Sequence, residues 1–145
     1  MAVPMTGTFR HNLDGKSRVF LPAKHREAIG ETLIIYPSLH DNSLKYRSVE
    51  DWSRVEEQIE ALPALEREEA SRFFYENSDT LSPDSQGRIV INQSLAQYAG
   101  IQQEEGVVII GCGKYGEIWS ASGYEQMKQR QDVNRLRMNL ASFGM

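Results

Sequence analysis

The sequence predicts an α+β protein: a pseudo-twofold, β-barrel-like body made from two ββαββ units, with a helical hairpin between the units and a helix at the C-terminus. The first observation behind this prediction is a motif that occurs twice, seventy positions apart, as Asp14-Gly15-Lys16-Ser17-Arg18 and Asp84-Ser85-Gln86-Gly87-Arg88. The second is that the same order of apolar runs, helix signals and turns follows each motif. The third is the helical spacing of apolar residues in the remaining segments.

Each unit has one predicted strand before its motif and one after it. Residues 8–13 and 79–81 are the candidates for the strand before the motif, and the second of these is short and polar. The apolar runs 19–21 and 89–91 predict the strand after it. A strand, a turn and a second strand are therefore expected at the start of both units.

A short helix follows in each unit. Pro22 begins the first helix with its fixed φ, and Asn92 begins the second as a capping amide. A glycine ends each helix because it tolerates a left-handed conformation. The two helices are expected at 23–29, before Gly30, and at 93–99, before Gly100.

Two further strands complete each unit. Buried strands are expected at 33–36 and 107–110, and the last strands at 44–46 and 117–119. The second unit has four more residues before its third strand, a difference typical of a loop. A unit of under fifty residues buries too little surface to be comfortable alone, so we expect the pair to share one core.

The segments between and after the units are helical in character. Pro63 interrupts the first segment, which therefore predicts two helices that form a hairpin. The tail predicts one helix that packs against this hairpin. The apolar positions are Trp52, Val55, Ile59, Leu62, Leu65, Phe73 and Phe74 in the hairpin and Tyr124, Met127, Val133, Leu136 and Leu140 in the tail. The predicted division is a first unit at 5–52, the hairpin at 53–77, a second unit at 78–124 and the C-terminal helix or tail at 125–145.

Composition narrows the class of protein. The chain has 145 residues with 40% hydrophobic content, which suits one globular domain. No apolar stretch approaches the roughly 20 residues that span a bilayer, and the N-terminus lacks a signal pattern, so a cytoplasmic protein without a membrane is expected. Cys112 is the single cysteine, which excludes an internal disulfide and a cysteine-cluster metal site. The three histidines are dispersed, and we expect neither a metal nor a cofactor.

Charge is distributed unevenly along the chain, whose net charge is −4. Residues 5–30 carry five basic and two acidic residues, a net charge of +3, whereas residues 50–77 carry nine acidic residues and three arginines, a net charge of −6. A nucleic-acid-binding protein needs only a local basic face, because distant exposed charges are screened at ordinary salt. The candidate DNA contacts at this basic edge are Arg10, Lys16, Arg18, Lys24 and Arg26.

The motif has a clear structural chemistry. An aspartate at the start of a tight turn accepts backbone N–H bonds, and an arginine four residues later can pair with it. We expect Asp14 and Asp84 to stabilise their turns. Arg18 and Arg88 have five donors each, so one carboxylate leaves some donors for phosphates or guanine edges. Lys16 is either a solvated loop residue, which its sequence alone favours, or a phosphate contact.

Enzymatic alternatives are weaker. Gly15-Lys16-Ser17 matches the end of a phosphate-binding loop, but that motif requires glycine where Arg10 stands. His11, Asp14 and Ser17 could form a nucleophilic arrangement, yet polar residues near one turn are common and the second copy has no histidine. We therefore expect a protein that is not an enzyme.

The segment 9–22 resembles the N-terminal signature of the MraZ family, and Asp84–Arg88 resembles the second half of the family pattern, within a likeness that extends from Met5 to about Met127. This family consists of bacterial transcriptional regulators with two tandem SpoVT-AbrB (AbrB-like) domains. The resemblance implies a nucleoid-associated repressor that assembles into rings. It also implies binding to double-stranded DNA at direct repeats in its own promoter, upstream of the division and cell-wall gene cluster.

The resemblance also assigns residues. In AbrB-like domains the motif arginine and a basic residue in the following helix contact DNA, which here implies Arg18, Arg88 and Arg26; the position matching Arg26 is Ala96. The family commonly has glycine at position 17, as Gly87 does in the second copy. If a positive φ is required there, serine costs about 1 kcal/mol, or else the first turn has another shape. The second unit has only two basic residues, so the first is expected to provide most of the affinity.

Two questions stay open in the sequence. The chain could instead be an AbrB-like assembly or antitoxin-type module that works mainly through protein partners. Salt-sensitive, sequence-selective DNA binding distinguishes the two functions, because phosphate contacts release counterions. The tail also carries basic residues that form either a solvated helix face or an auxiliary DNA contact, and these are Lys128, Arg130, Arg135 and Arg137.

Overall fold

The structure is a computed structural model that describes residues 3–145. The strands are β1 (Thr8–Asn12), β2 (Arg18–Phe20), β3 (Leu33–Pro37), β4 (Leu44–Ser48), β5 (Asp79–Leu81), β6 (Arg88–Val90), β7 (Gly106–Gly111) and β8 (Gly116–Ser120). The helices are α1 (Ala23–Ile29), α2 (Val49–Glu60), α3 (Ala64–Asn77), α4 (Gln93–Tyr98), α5 (Ala121–Arg130) and α6 (Val133–Leu140). The predicted mixture of helices and strands is confirmed, including both first strands.

Six strands form one antiparallel sheet in the order β1-β7-β8-β4-β3-β5, and β2 pairs with β6 in a separate two-stranded sheet. The large sheet ends at β1 and β5, so it is open. The expected barrel-like body is therefore wrong: each first strand crosses to the other half, β1 pairing with β7 and β5 with β3, and lies at an edge instead of closing the sheet.

The residue that precedes each helix determines how the start of that helix is capped. Asn92 accepts a hydrogen bond from the backbone N–H of Leu95 at 2.9 Å, whereas Pro22 begins α1 without a side-chain bond. Ser48 and Ser120 cap α2 and α5 at equivalent places, each immediately after the last strand of its half. The two halves thus have the same order of elements for the same local reasons.

The main core lies between the large sheet, the two-stranded sheet and the short helices α1 and α4. Its members are aliphatic side chains from both halves, together with Tyr46. The fully buried positions include Leu13, Val19, Leu33, Ile35, Leu44, Ile89, Ile91, Leu95, Ile109 and Ile118. Because residues 14–18 and 84–88 both lie directly before core strands, the packing of this core also positions the two turns.

Smaller clusters lie on the other side of the large sheet. Ile34, Tyr36 and Trp52 form one of them, and the hairpin of α2 and α3 covers it. Val108, Trp119 and Tyr124 form the other, which is covered by α5. The predicted break of the hairpin at Pro63 is confirmed.

The tail differs from its prediction. Instead of one helix there are two, because the chain leaves the helical conformation at Gln131 and begins again at Asp132, whose side chain accepts a hydrogen bond from the Arg135 N–H at 3.1 Å. The expected packing of this helix against the hairpin is also wrong. Helix α5 packs on β7 and β8, since Tyr124 and Met127 join the cluster on that part of the sheet.

Candidate nucleic-acid interface

The two motifs meet in the two-stranded sheet formed by β2 and β6. Its register pairs Arg18 with Val90 and Phe20 with Arg88, and the central pair, Val19 and Ile89, is buried in the core. Alternate residues of a strand point to opposite faces, so the other four side chains share the outer face. We call this four-residue surface the ribbon face.

A hydrogen-bonded turn holds each ribbon arginine. One Asp14 oxygen accepts the backbone N–H groups of Lys16 and Arg18, both at 2.9 Å, and the other accepts Arg18 Nε at 2.8 Å. Asp84 makes the equivalent bonds to the second motif, with Arg88 Nε at 2.9 Å. Aspartate favours this local geometry because its short side chain reaches the backbone two residues ahead.

The turns keep both carboxylates ionised. Hydrogen bonding from the Arg18 backbone N–H, with added bonds from the Arg18 side chain and the Lys16 N–H, lowers the pKa of Asp14 against a smaller opposing effect of desolvation. The corresponding donors lower the pKa of Asp84. Each guanidinium uses its Nε–H for this pairing, and a guanidinium has four further N–H donors. The aspartate thus fixes the direction of each arginine side chain. The four N–H donors on the Nη groups are not used in this pairing.

Arg26 crosses from the first half to the second turn. A Cβ added to Gly87 would lie 2.7 Å from Arg26 Cζ, so the guanidinium rests directly on this glycine. Arg26 Nε also donates to the Leu21 carbonyl at 3.3 Å. The basic residues are therefore divided between the turns: Lys16 is at the first, and Arg26 is at the second with Arg88.

The two turns share one backbone shape despite the difference at their fourth residue. Ser17 has φ of 60° and Gly87 has φ of 83°, and each donates its N–H to the carbonyl of the motif aspartate, at 3.0 and 2.9 Å. Serine thus adopts the left-handed conformation that glycine adopts freely. Its hydroxyl accepts a hydrogen bond from Gln103 Nε2 at 3.0 Å.

The other candidate residues fall in different places. Lys16 is exposed at the first turn, and Lys24 is exposed in the first turn of α1. Arg10 lies beside α5, where it pairs with Glu125 at 3.4 Å and stacks over the Tyr124 ring at 5.3 Å. Because the adjacent Phe9 faces the main core, Arg10 points to the opposite side of the sheet and is not brought together with the ribbon arginines.

Two functional candidates were missed by the sequence reasoning. Phe20 is 44% exposed and Val90 is 51% exposed, and the Arg88 guanidinium carbon lies 5.9 Å from the centre of the Phe20 ring. Each occupies the middle position of a three-residue apolar run, a pattern that predicts burial. The signal that could have identified them is alternation, because they lie two residues after arginines expected to face outward.

The ribbon face carries side chains of the kinds that proteins use to contact nucleic acid. A two-stranded ribbon fits the major groove of B-DNA, arginine binds the O6 and N7 atoms of guanine, and apolar side chains contact the thymine methyl group. The acidic excess of the chain lies instead on the α2–α3 hairpin, across the large sheet from the main core. Among residues 3–145, no helix combines the length and apolar character needed to cross a membrane.

Comparisons with known proteins agree with the repeat. The family model described as "MraZ protein, putative antitoxin-like" matches residues 5–73 and again residues 74–139. A protein named transcriptional regulator MraZ from Caldicellulosiruptor bescii is 36% identical, over 97% of this chain and 99% of its own. Proteins of the same name from Acetivibrio thermocellus and Clostridium tetani are 38% and 32% identical, over 88% and 96% of this chain and 89% and 98% of theirs. These names are of regulators and not of enzymes.

Proposed function

This chain belongs to the MraZ family, and from that membership together with the ribbon geometry we propose that it is a DNA-binding transcriptional regulator. The observation that carries the proposal is the ribbon face. Arg18 and Arg88 stand there on paired strands, and each is held by an aspartate bonded to the same turn. Such preorientation reduces the side-chain freedom that binding would otherwise remove.

The ribbon face enters the major groove in this proposal. Arg18 and Arg88 contact guanine edges or phosphates, and Phe20 and Val90 contact thymine methyl groups. Asp14, Asp84 and Gly87 act through the turns: the aspartates orient the arginines, and the glycine leaves room for Arg26. Phosphates are contacted by the surrounding basic side chains, Lys16, Lys24 and Arg26, with Arg10 as a peripheral contact.

An approximate twofold relation between the halves gives the ribbon face its pattern. Arg18 on β2 lies opposite Val90 on β6. On the other side of the central pair Val19 and Ile89, the order is reversed, and Phe20 on β2 lies opposite Arg88 on β6. A face with this symmetry offers the same contacts to two half-sites. The proposal keeps the predicted division of the chain into two units, the hairpin between them and the tail.

Several copies act together on the operator. One chain offers few basic residues, so assembly into a ring that engages successive direct repeats raises the effective concentration of each contact. The operator is the chain's own promoter, upstream of the division and cell-wall genes, and occupying it represses transcription at the nucleoid. The α2–α3 hairpin is acidic, so it is suited to contacts with proteins rather than with DNA.

The proposal is tested by fluorescence anisotropy with DNA from upstream of the chain's own gene and with a shuffled copy of that DNA. We expect selective binding whose affinity falls steeply as salt rises, because basic side chains displace counterions from phosphates. Equal or absent binding to the two DNAs would overturn the regulator function. It would instead favour the protein-partner function, which the antitoxin-like description of the family also suggests.

A further inference from the structure

The apolar side of helix α6 is largely exposed. Its apolar residues Val133, Leu136 and Leu140 recur at helical spacing, and Phe143 continues them in the 3-10 turn Ala141–Phe143. Leu136 is 47% exposed and Phe143 is 76% exposed. Within residues 3–145, α6 makes no substantial packing contact with another helix or strand apart from that turn. We call this apolar row the α6 stripe.

The equivalent helix of the first half is packed against the sheet. Helix α3 follows α2 as α6 follows α5, and its Phe74 ring lies 6.0 Å from that of Tyr36 in the outer cluster. In the part of the chain that the structure describes, α6 does not pack on the sheet in this way. A cavity of about 620 Å³ lies open beside α5 instead, bordered by Trp119, Met127 and Arg130 among others.

Charge identifies the complementary surface. The α2–α3 hairpin has a net charge of −6 over residues 50–77, and the chain from Met127 to Leu140 carries four basic residues and one aspartate. The first two turns of α3 are exposed, and there Leu65 is 64% exposed close to Glu66 and Glu69. This exposed part of α3, which we call the hairpin tip, thus presents an apolar residue surrounded by negative charge.

We propose that the α6 stripe of one copy docks on the hairpin tip of a second copy of this chain. Opposite charges lie beside apolar residues on both surfaces, so the contact buries apolar area while Arg135 and Arg137 face glutamates. Within one chain, Leu136 and Phe143 of the α6 stripe and Leu65 of the hairpin tip all remain exposed. The inference deepens the proposed assembly by naming its contact surfaces, and it rests on that part of the proposed function.

The geometry of this contact determines the kind of assembly. The α6 stripe and the hairpin tip are different patches, so each copy uses one patch to bind and offers the other to the next copy. Such heterologous contacts close into rings or continue as filaments. A twofold dimer, by contrast, would bring identical patches together.

The test is the mass of the assembly, measured without DNA by size-exclusion chromatography with light scattering. We expect the unmodified chain to have several times its single-chain mass of 16.5 kDa. Arg135→Glu with Arg137→Glu should reduce the mass to that of one chain, and so should Glu66→Lys with Glu69→Lys. A mixture of the two variants should recover assemblies of several chains in alternating order. The acidic α6 of the first variant then faces the basic tip of the second, and the unmodified α6 of the second faces the unmodified tip of the first. Lys114→Glu, an exposed charge reversal outside both surfaces, is the matched control and should leave the assembly unchanged.

Three outcomes would overturn the inference: a single-chain mass for the unmodified protein, an unchanged mass for either double variant, or single-chain masses only in the mixture. If α6 instead contacts DNA, Arg135→Glu with Arg137→Glu will weaken DNA binding while the mass stays the same. Because the mass is measured without DNA, a chain that assembles through α6 but binds no operator would retain this inference and lose the regulator function.

Discussion

The two halves have the same turn on their surfaces and different chemistry beneath. Asp14 and Asp84 make matching hydrogen bonds. In the interior, however, His25 of the first half corresponds to Leu95 of the second. Tyr46, which pairs with Ile35, likewise corresponds in strand register to Ile118, which pairs with Ile109. A duplicated turn geometry thus depends on a few turn residues, while the supporting core can be polar in one half and aliphatic in the other.

The polar pair is completely satisfied. The Thr6 carbonyl can only accept, so His25 Nε2 donates to it at 2.9 Å, and His25 Nδ1 therefore accepts from the Tyr46 hydroxyl at 2.5 Å. Among the described residues, no buried side-chain polar atom lacks a partner. This arrangement ties α1, β4 and the segment before β1 together. In residues 3–145, no side-chain hydrogen bond joins the equivalent elements of the second half, α4, β8 and the segment before β5.

The largest effect is expected from breaking this pair. Tyr46→Phe leaves Nδ1 of buried His25 without a donor, and we expect it to lower the free energy of unfolding by about 1–3 kcal/mol. Chemical denaturation measures the change. Tyr75→Phe removes a hydroxyl that donates to Glu56 on the surface and is the matched control. Equal losses in the two variants would show that the buried pair has no special stabilising role.

The next largest effect is a difference in stability between substitutions in the two turns. Gly87→Ala forces a side chain into the left-handed region and against Arg26, so we expect a loss of about 1–2 kcal/mol in unfolding free energy. Ser17→Ala should change stability little, since that position already carries a side chain at positive φ. Thermal melts of both variants test this contrast. Equal stability losses would contradict the difference drawn between the turns.

A smaller effect is expected from making the first turn resemble the second. Ser17→Gly relieves the left-handed strain but adds freedom to the unfolded chain, so we expect a net gain of about 0.5 kcal/mol. The hydrogen bond from Gln103 is lost, which limits the gain. A shift of the denaturation midpoint to higher denaturant would confirm it, and a shift to lower denaturant would show that this bond outweighs the strain.

The smallest effect concerns pH. Burial lowers the pKa of His25 below its ordinary value of 6.5, although the hydrogen bond to Thr6 opposes the change. The folded chain therefore favours neutral histidine, and the resulting stability is present above pH 6.5 and is lost as pH falls through the folded pKa. Denaturation over this range should show the decline, and His25→Leu should remove it. A decline that persists in this variant would assign it to other groups.

Much of the fold could be predicted because its signals are local. The capping amide of Asn92, the glycines after the short helices and the break at Pro63 all act within a few residues. The open sheet could not be predicted, since the exchange of β1 and β5 between halves depends on pairing across the whole chain. The break near Asp132 was missed because the apolar spacing continues on both sides of it.

The candidate site was predictable to a similar extent. The repeated motif identified Asp14 and Arg18 and their counterparts, whose contacts lie within one turn. The placement of Arg26 on Gly87 joins residues 61 positions apart, so no local pattern could indicate it. The same limit applies to Arg10, whose pairing with Glu125 depends on the neighbouring strand and helix.

The most direct test of the account is the affinity of the double variant Arg18→Ala with Arg88→Ala for promoter repeats, measured by fluorescence anisotropy at fixed salt. Each arginine contact contributes about 1–3 kcal/mol, so we expect the double variant to bind at least about 30-fold more weakly than the unmodified chain. Arg72→Ala on α3 is the control, and light scattering and thermal melts monitor assembly and folding. A folded, assembled double variant that binds the repeats with unchanged affinity would contradict the ribbon face as the DNA-binding surface.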